Sequence, residues 1–402
     1  MTRRIAVAVV GIVFLACVAG LGADTINLGA LMALTGALGP YGPPIANGAQ
    51  LAVDQINAAG GVLGRPLELI IADTATSPDV GRAAASRLIE INGVSAIVGA
   101  LSSGVTLAAS SVTIPAEIPL ISPASTAPSI PALDDNDFVF RTVVSDEVQG
   151  VVMGQFAFDQ GYRRAAVIYV NNDYGKGLAD KFEESFEADG GRVVASIPYE
   201  ENKASYRGEV DSILSANPDL FVLISYPVDG NKQIVEAAEA GYEGAFVFSD
   251  GMKGEGVAPG PGCASAEEPG PIEGAYGTVA AAGFRTEAFD ADYNAAFGPS
   301  SVPYNYQAYD AVVLLALAIV RAGDTSGPAI RDNLRAVSSG PGEEVFYGDW
   351  DKAVALLQAG QEINYQGVSG TVDFKETGDV FGGILIWKIE GCRVVPVKEV
   401  AG

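Results

Sequence analysis

Short apolar runs alternate along the chain with segments in which apolar residues recur every three to four positions. The runs at 26–31, 67–71 and 96–99 have the length and composition of buried strands. Between the first two, the segment 44–59 places its apolar residues on one helical face and ends before a pair of glycines. This alternation predicts a doubly wound α/β architecture with parallel strands.

The same alternation begins again after Arg141. Apolar runs separated by helical segments predict further strands at 165–170, 192–197, 220–224 and 245–248. A chain of 402 residues is too long for one compact core. We therefore expect two lobes, each built on its own open sheet.

The last third of the chain is less regular. The stretch 251–274 is rich in Gly, Pro and Glu, which predicts an irregular surface segment. Helical periodicity returns between 287 and 359, including a short extra helix near its end. The apolar runs at 384–389 and 394–397 predict a terminal pair of strands.

Two clusters of small hydroxyl residues follow predicted strands. Ser102 and Ser103 precede a predicted helix, so one of them is expected at its N-cap, where backbone N–H groups favour an anion. Ser125 and Thr126 follow a second short apolar run at 119–121. Neighbouring parallel strands would bring both clusters to one carboxyl edge, where α/β proteins bind ligands. We expect a carboxylate site there.

The N-terminus has the pattern of a secretory signal peptide over residues 1–23. Arg3 and Arg4 form a basic region, residues 5–16 an apolar region, and small residues follow at the cleavage zone. Cleavage there would release the protein into the periplasm. An imperfect lipobox ending at Cys17 leaves lipid anchoring open as an alternative.

Two cysteines remain once the signal peptide is set aside. Cys263 and Cys392 form an even pair in a chain exported to an oxidising compartment. We expect a disulfide between them, and two thiols are too few for a structural zinc site.

Charge and composition exclude several functions. The formal net charge is −25, which argues against nucleic acid and anionic membranes as partners. The chain has no histidine, which removes Ser-His-Asp and Cys-His catalysis and histidine-ligated metals. We therefore expect neither an enzyme nor a metal or other cofactor.

Several short motifs, in order along the chain, resemble one family. The chain is similar to the leucine/isoleucine/valine-type periplasmic solute-binding proteins of bacterial ABC importers, which have the type I periplasmic binding protein fold. The resemblance covers nearly all of the chain after residue 24. Its most specific motifs are Ala33-Leu34-Thr35-Gly36 with Tyr41-Gly42, the segment 48–61, Ser122-Pro123-Ala124-Ser125-Thr126, Arg141-Thr142 and Asp173-Tyr174-Gly175.

The resemblance implies two α/β lobes joined by three crossover strands, with the ligand in the cleft between them. On this plan the first lobe comprises 24–143 plus 276–380, and the second comprises 144–275 plus 381–402. It further implies a monomer that captures an amino acid, branched-chain or similar, by lobe closure and delivers it to an ABC transporter permease.

The resemblance also implies roles for individual residues. Ser103 and Thr126 are expected to hold the ligand carboxylate, and Ala124 or Ser125 to offer a backbone carbonyl to the amino group. In the second lobe, Tyr174 is expected to close over the ligand and Asp250 to pair with its ammonium. Further residues expected at the cleft wall are Tyr41, Leu101, Ser102, Tyr226 and Tyr304.

Departures from the family pattern leave the ligand open. Asp250 replaces a longer glutamate, Tyr304 stands where phenylalanine is common, and the segments 251–274 and 338–366 have no counterpart in the simplest members. An amide, a urea-like compound or an aromatic carboxylate is the alternative ligand. A ligand-sensing receptor domain is the alternative role.

Overall fold

The computed structural model describes residues 24–402, except 255, 259, 264, 268 and 269. The predicted signal peptide and Cys17 lie outside the described residues.

The first sheet has five parallel strands in the order β2-β1-β3-β4-β5. The strands are β1 (Ile26–Met32), β2 (Leu67–Asp73), β3 (Ala96–Gly99), β4 (Leu120–Ser122) and β5 (Val139–Arg141). Every residue of β3 and β4 is buried, as continuous apolar runs in a central parallel strand require.

Helices connect these strands on both faces of the sheet. They are α1 (Gly42–Ala58), α2 (Pro78–Glu90) and α3 (Ser103–Thr113), with a short 3₁₀ helix at Ile130–Ala132. Proline stands in the first turn of α1 and α2, where its missing N–H costs no helical hydrogen bond. The sequence therefore predicted this lobe's alternation correctly.

The second sheet has seven strands in the order β14-β13-β10-β9-β8-β6-β7. Its elements are α4 (Asp146–Asp159), β6 (Arg164–Val170), α5 (Asp173–Ala188), β7 (Arg192–Tyr199), α6 (Arg207–Ser215), β8 (Leu220–Ile224), α7 (Pro227–Glu239), β9 (Ala245–Phe248), a 3₁₀ helix at Asp250–Met252, β10 (Tyr276–Ala280), β13 (Ile384–Glu390) and β14 (Arg393–Val400). The strands β13 and β14 form the expected terminal antiparallel pair.

The strand β10 corrects one predicted lobe boundary. The sequence assigned residues from 276 onward to the first lobe, but β10 pairs with β9 on one side and with β13 on the other. Backbone pairing therefore keeps the chain in the second sheet as far as Ala280, and it returns to the first lobe only afterwards.

The remaining elements complete the first lobe. They are α8 (Thr286–Phe297), α9 (Asn305–Ala322), α10 (Gly327–Ser338), β11 (Glu343–Phe346), α11 (Trp350–Gln358) and β12 (Ile363–Gln366). The helix α9 is buried over most of its length and packs against α1, β3 and β4. The chain thus passes between the lobes three times: after β5, after β10 and before β13.

The segment 338–366 forms a small unit that the sequence predicted only in part. The predicted extra helix is present as α11, but β11 and β12 flank it and pair in parallel. Parallel pairing needs a crossover between the two strands, and α11 provides it. Strands of four residues give too short an alternation to be recognised in the sequence.

A disulfide links the irregular stretch after β9 to the turn between β13 and β14. Cys263 and Cys392 are joined in a disulfide with their Cα atoms 5.4 Å apart. Both cysteines are buried.

Among the described residues, no single helix is both long enough and apolar enough to cross a membrane. The helices α9 and α10 meet that test only as a pair, with a bend of 106° between them.

Candidate functional site

A cavity lies where the carboxyl ends of strands from both sheets face each other. Most of its residues come from the segments that follow β1, β3 and β4 in the first lobe and β6, β8 and β9 in the second, and Tyr304 comes from the start of α9. It encloses about 370 Å³, counting its mouth. The lining residues are Leu38, Tyr41, Ile45, Leu101, Ser103, Ala124, Tyr174, Tyr226, Asp250, Gly251 and Tyr304.

Most of the residues proposed from the sequence meet in this cavity. Those that line it are Tyr41, Leu101, Ser103, Ala124, Tyr174, Tyr226, Asp250 and Tyr304. Ser102, Ser125 and Thr126 do not line it, because the loops turn their side chains toward the interior of the protein or the neighbouring lobe.

The first hydroxyl cluster lies at the start of α3. Ser102 occupies the N-cap position, but its side chain makes no capping hydrogen bond. The buried Ser103 lines the cavity, and its Oγ accepts a hydrogen bond from the Ala127 N–H at 3.2 Å. The first N–H groups of a helix have no partner within the helix, so the start of α3 offers donors to an anion beside Ser103.

The second cluster points away from the cavity at Ser125. The Ser125 Oγ lies 2.7 Å from Thr106 Oγ1 and donates to the Ala100 carbonyl at 3.1 Å. Its own carbonyl accepts from Arg141. Ser125 therefore holds two loops of the first lobe together, and its carbonyl is already occupied.

Thr126 differs from its neighbour because its hydroxyl is buried without a good hydrogen bond. Its Oγ1 makes no hydrogen bond of good geometry, although only 1% of the residue is exposed, and the polar group that it faces is the Asp146 carboxylate. An unsatisfied hydroxyl of this kind costs free energy unless something else binds it.

Arg141 is a positioning residue whose role the sequence did not reveal. Its guanidinium is fully buried and forms a bidentate pair with Asp379, with N···O distances of 2.6 and 2.9 Å. It also donates to the carbonyls of Ser125 and Ala127 at 3.2 and 3.0 Å. These contacts fix the loop that carries Ala124 and Thr126.

Asp250 is the carboxylate on the second-lobe side of the cavity. It is 3% exposed, and its Oδ1 accepts from Tyr174 Oη at 2.7 Å and from Gln149 Nε2 at 3.0 Å. Its Oδ2 accepts from Tyr304 Oη, in the first lobe, at 2.5 Å. Burial raises the pKa of Asp250, and these neutral donors only partly oppose that rise.

A second carboxylate, Asp146, lies behind the first. It is fully buried at the start of α4, and neither of its oxygens makes a hydrogen bond of good geometry. Burial, and then the charge of Asp250, raise the pKa of Asp146, while the nearby Thr126 hydroxyl and Arg141 favour its charged form. Two carboxyl groups thus lie on this side of the cavity, and no lysine or arginine is among the described residues that line it.

Four tyrosines form much of the remaining wall. The rings of Tyr174 and Tyr226 stack with their centroids 5.7 Å apart. Tyr41 Oη, in the first lobe, donates to the carbonyls of Gly251 and Lys253 at 3.0 and 2.7 Å. With the Tyr304 bond to Asp250, these contacts join the lobes, so the structure is a closed form.

Sequence reasoning missed part of the apolar wall and the support behind Asp250. Ile45 was attributed only to the core face of α1, and Leu38 lies in a loop without a pattern. Asp146 and Gln149 are polar residues one turn apart on the buried face of α4, and that is a signal by which they could have been found.

The arrangement suits reversible binding of a small molecule. It offers hydroxyl and N–H donors on one side, a buried carboxylate on the other, and apolar side chains between them. Among the described residues, the one group of possible metal ligands is Cys263, Glu273 and Cys392, and its two cysteines are joined in the disulfide.

Comparison with known proteins places the chain in a family. The sequence model described as "Periplasmic binding protein" matches residues 25–377. The chain belongs to this periplasmic binding protein family. Its members are extracytoplasmic solute-binding proteins, not enzymes, and they work with ABC transporter permeases.

One curated relative comes from Halobacterium salinarum. The chemotactic signal transduction system substrate-binding protein BasB is 31% identical to this chain over 379 residues, covering 90% of this chain and 87% of the relative.

Two solved structures share the fold. The branched-chain amino acid transporter substrate-binding protein LivJ of Streptococcus pneumoniae, solved with isoleucine, has a TM-score of 0.78 and 25% identity, covering 94% of this chain and 100% of its own. A solute-binding protein from R. palustris, solved with benzoate, has a TM-score of 0.78 and 19% identity, covering 94% and 97%. The expected resemblance and the two-lobed α/β fold are confirmed.

Proposed function

We propose that this periplasmic binding protein captures a neutral aliphatic L-amino acid, of the branched-chain type, and delivers it to an ABC permease. The observation that carries the proposal is Asp250, a buried carboxylate on the cavity wall with neutral donors as its hydrogen-bond partners. A buried carboxylate without a cation is costly, and a ligand ammonium would offset that cost.

The ligand carboxylate is assigned to the first lobe. Ser103 and the start of α3 face the cavity there, and Thr126 has a hydroxyl still to be satisfied. The backbone carbonyl of Ala124 is the acceptor that we assign to the amino group.

The ligand side chain is assigned to the apolar part of the cavity. Leu38, Ile45 and Leu101 line it. The hydroxyl groups of Tyr41, Tyr174 and Tyr304 are engaged with protein atoms, so their rings are what they offer to a ligand. These surroundings favour an aliphatic side chain over a polar one.

The same charges weigh against an aromatic carboxylate without an amine. Such a ligand would bring a negative charge beside the buried carboxyl groups of Asp250 and Asp146, and no cation to pair with either. Like charges in a buried site repel strongly. The benzoate complex of a structural neighbour keeps this class among the outcomes to be tested.

A matched set of ligands tests the proposal. The protein would be unfolded in guanidinium, dialysed free of ligand, refolded, and titrated in a calorimeter. L-Leucine, 4-methylpentanoate (leucine without its amine) and 3-methylbutylamine (leucine without its carboxylate) would be compared. We expect each truncation to weaken binding by roughly 100-fold. Tighter binding of benzoate or 4-methylpentanoate than of leucine would overturn the proposal.

A second role for the same ligand is favoured by the relative BasB, whose name assigns it to chemotactic signal transduction. In that role the closed form would dock on a transducer in place of a permease. Deleting the gene for this protein in its host distinguishes import from sensing. Loss of labelled leucine uptake supports import, and loss of the swimming response to leucine with uptake intact supports sensing.

A further inference from the structure

A second cavity lies in the first lobe and shares no lining residue with the cleft. It opens between α1, α8 and α9 on one side and the β11-α11-β12 unit on the other. It encloses about 710 Å³, counting its mouth. The β11-α11-β12 unit spans residues 343–366.

The wall of this cavity is aromatic. The rings that line it belong to Tyr309, Phe346, Tyr347, Trp350 and Tyr365. Tyr309 and Tyr347 pack against each other with their centroids 5.1 Å apart. Apolar residues of α9 complete the floor. Aromatic and aliphatic side chains of this kind pack well against an apolar body that carries one ring.

The charged residues that line this cavity are acidic, and the nearby Arg285 lies over the ring of Phe346. Three carboxylates line it, those of Asp292, Asp349 and Asp351, and no lysine or arginine is among the described lining residues. Asp349 is neutralised by Arg285 at 3.0 Å. Asp292 accepts hydrogen bonds from Tyr347 Oη at 2.5 Å and is paired with no described cation.

A polar network at the exposed end of the cavity holds Asp292 against the aromatic wall. Gln55 Nε2 donates to Tyr347 Oη at 2.7 Å and to Asp292 at 3.2 Å, and its Oε1 accepts from Tyr309 Oη at 2.8 Å. The rings and the carboxylate are therefore fixed relative to each other before any ligand arrives. Preorganisation of this kind lowers the cost of binding.

We propose that this cavity binds a small organic cation with an apolar body, such as an aromatic primary amine. Aromatic faces and carboxylates both attract a cation, and the rings cover its apolar part. An anion of the same shape is repelled by Asp292 and Asp351. A neutral molecule of the same shape keeps the apolar contacts and loses the charge interaction.

Three ligands with the same ring but different charge test this assignment. The probes are 2-phenylethylamine, which is a cation at pH 7, neutral 2-phenylethanol, and the phenylacetate anion. Each would be titrated calorimetrically into the full-length mature protein with and without excess L-leucine. We expect the amine to bind at least fivefold more tightly than the alcohol, and phenylacetate not to bind. Leucine should not compete with the amine, so this result is independent of the function proposed for the cleft.

Variants locate the amine site. Ala59 is exposed at the cavity mouth, so Ala59→Trp should block entry without disturbing the fold. Trp350→Ala removes one of the lining rings and should weaken amine binding about fivefold. Asp54→Asn is the control, because Asp54 is an exposed carboxylate on α1 that does not line the cavity.

Amine binding that is abolished in Ala59→Trp and kept in Asp54→Asn supports the assignment. Equal affinity for amine and alcohol, or unchanged amine binding in Ala59→Trp with its thermal unfolding also unchanged, would overturn it.

Discussion

The two walls of the cleft differ in where their polar groups find partners. In the first lobe, the hydroxyl of Ser125 and the guanidinium of Arg141 bond to other groups of that lobe. In the second, Asp250 takes one of its donors from Tyr304 across the cleft. The Ser125–Arg141 network is therefore built within one lobe, and the hydrogen bonding of Asp250 is complete only when the lobes close.

This difference implies an order of events. On the proposed assignment, a ligand engages the preformed first-lobe wall in the open protein through its carboxylate. Closure then brings Tyr304 and Asp250 together around the proposed ammonium, and the contacts made by both lobes stabilise the closed form. The predictions below test each half of this comparison.

The largest effect is expected from removing the support of the first-lobe wall. Arg141→Met leaves Asp379 buried without its partner and frees two carbonyls. We expect the free energy of unfolding in urea to fall by about 3–5 kcal/mol. The double variant Arg141→Met/Asp379→Leu should recover a large part of the loss. A change below about 0.5 kcal/mol in the single variant would contradict this role.

The pH dependence of binding tests the second-lobe wall. Because its pKa is raised, the Asp250 carboxylate takes up a proton at a higher pH than an ordinary aspartate does. A ligand ammonium favours the ionised carboxylate, so protonation of Asp250 opposes binding. Below that pKa, leucine affinity should fall by roughly tenfold per pH unit, and above it affinity should be constant. Titrations between pH 4 and 7 measure this, and an affinity independent of pH would count against the ion pair.

The raised pKa values also make the stability of the unliganded protein depend on pH, in the opposite direction to leucine binding. The pKa values of Asp250 and Asp146 are higher in the folded than in the unfolded chain. Protonation of these two carboxyl groups therefore stabilises the fold at low pH. That contribution is lost as the pH rises through the folded values. Asp250→Asn should therefore gain stability relative to the wild type as the pH increases.

Substitutions of two neighbouring hydroxyl residues in the first-lobe wall distinguish a role in stability from a role in ligand binding. Ser125→Ala removes bonds inside the lobe and should lower the unfolding free energy by about 1–2 kcal/mol with little effect on leucine affinity. Thr126→Val removes a hydroxyl with no good partner, so we expect unchanged stability and about tenfold weaker leucine binding. The reverse pattern, with affinity lost in Ser125→Ala, would contradict the assignment of the loop.

The smallest effect is expected at the contact between the lobes. Tyr41→Phe removes hydrogen bonds to the carbonyls of Gly251 and Lys253 and keeps the ring. The unliganded protein should open, and leucine affinity should fall about fivefold. Small-angle scattering of the unliganded variant should give a larger radius of gyration than the wild type. An identical radius in both would show that this bond does not hold the lobes.

Much of the architecture could be predicted because it depends on local patterns. The alternation of apolar runs and helical segments identified both sheets, and the hydroxyl clusters after two predicted strands indicated the first-lobe side of the cavity. The family resemblance supplied Tyr174 and Asp250. In the structure, Tyr174, Tyr226 and Asp250 lie two to four positions after the ends of β6, β8 and β9, where the strand ends of a parallel sheet converge.

The rest depended on contacts that no local pattern records. Arg141 and Asp379 are 238 residues apart, and the pairing of β10 with β9 and β13 is decided by the whole sheet. Ser125 and Thr126 are adjacent hydroxyls with different surroundings, because a tight loop directs neighbouring side chains in different directions. The sequence therefore predicted the cluster without distinguishing its members.

The account's central claim is that Asp250 binds the ammonium of an amino acid. The direct test compares L-leucine and 4-methylpentanoate on the wild type, on Asp250→Asn, and on Asp180→Asn, which removes an exposed carboxylate of the same lobe. We predict that the wild type and Asp180→Asn prefer leucine by roughly 100-fold, and that Asp250→Asn loses nearly all of that preference. An unchanged preference in Asp250→Asn would contradict the claim.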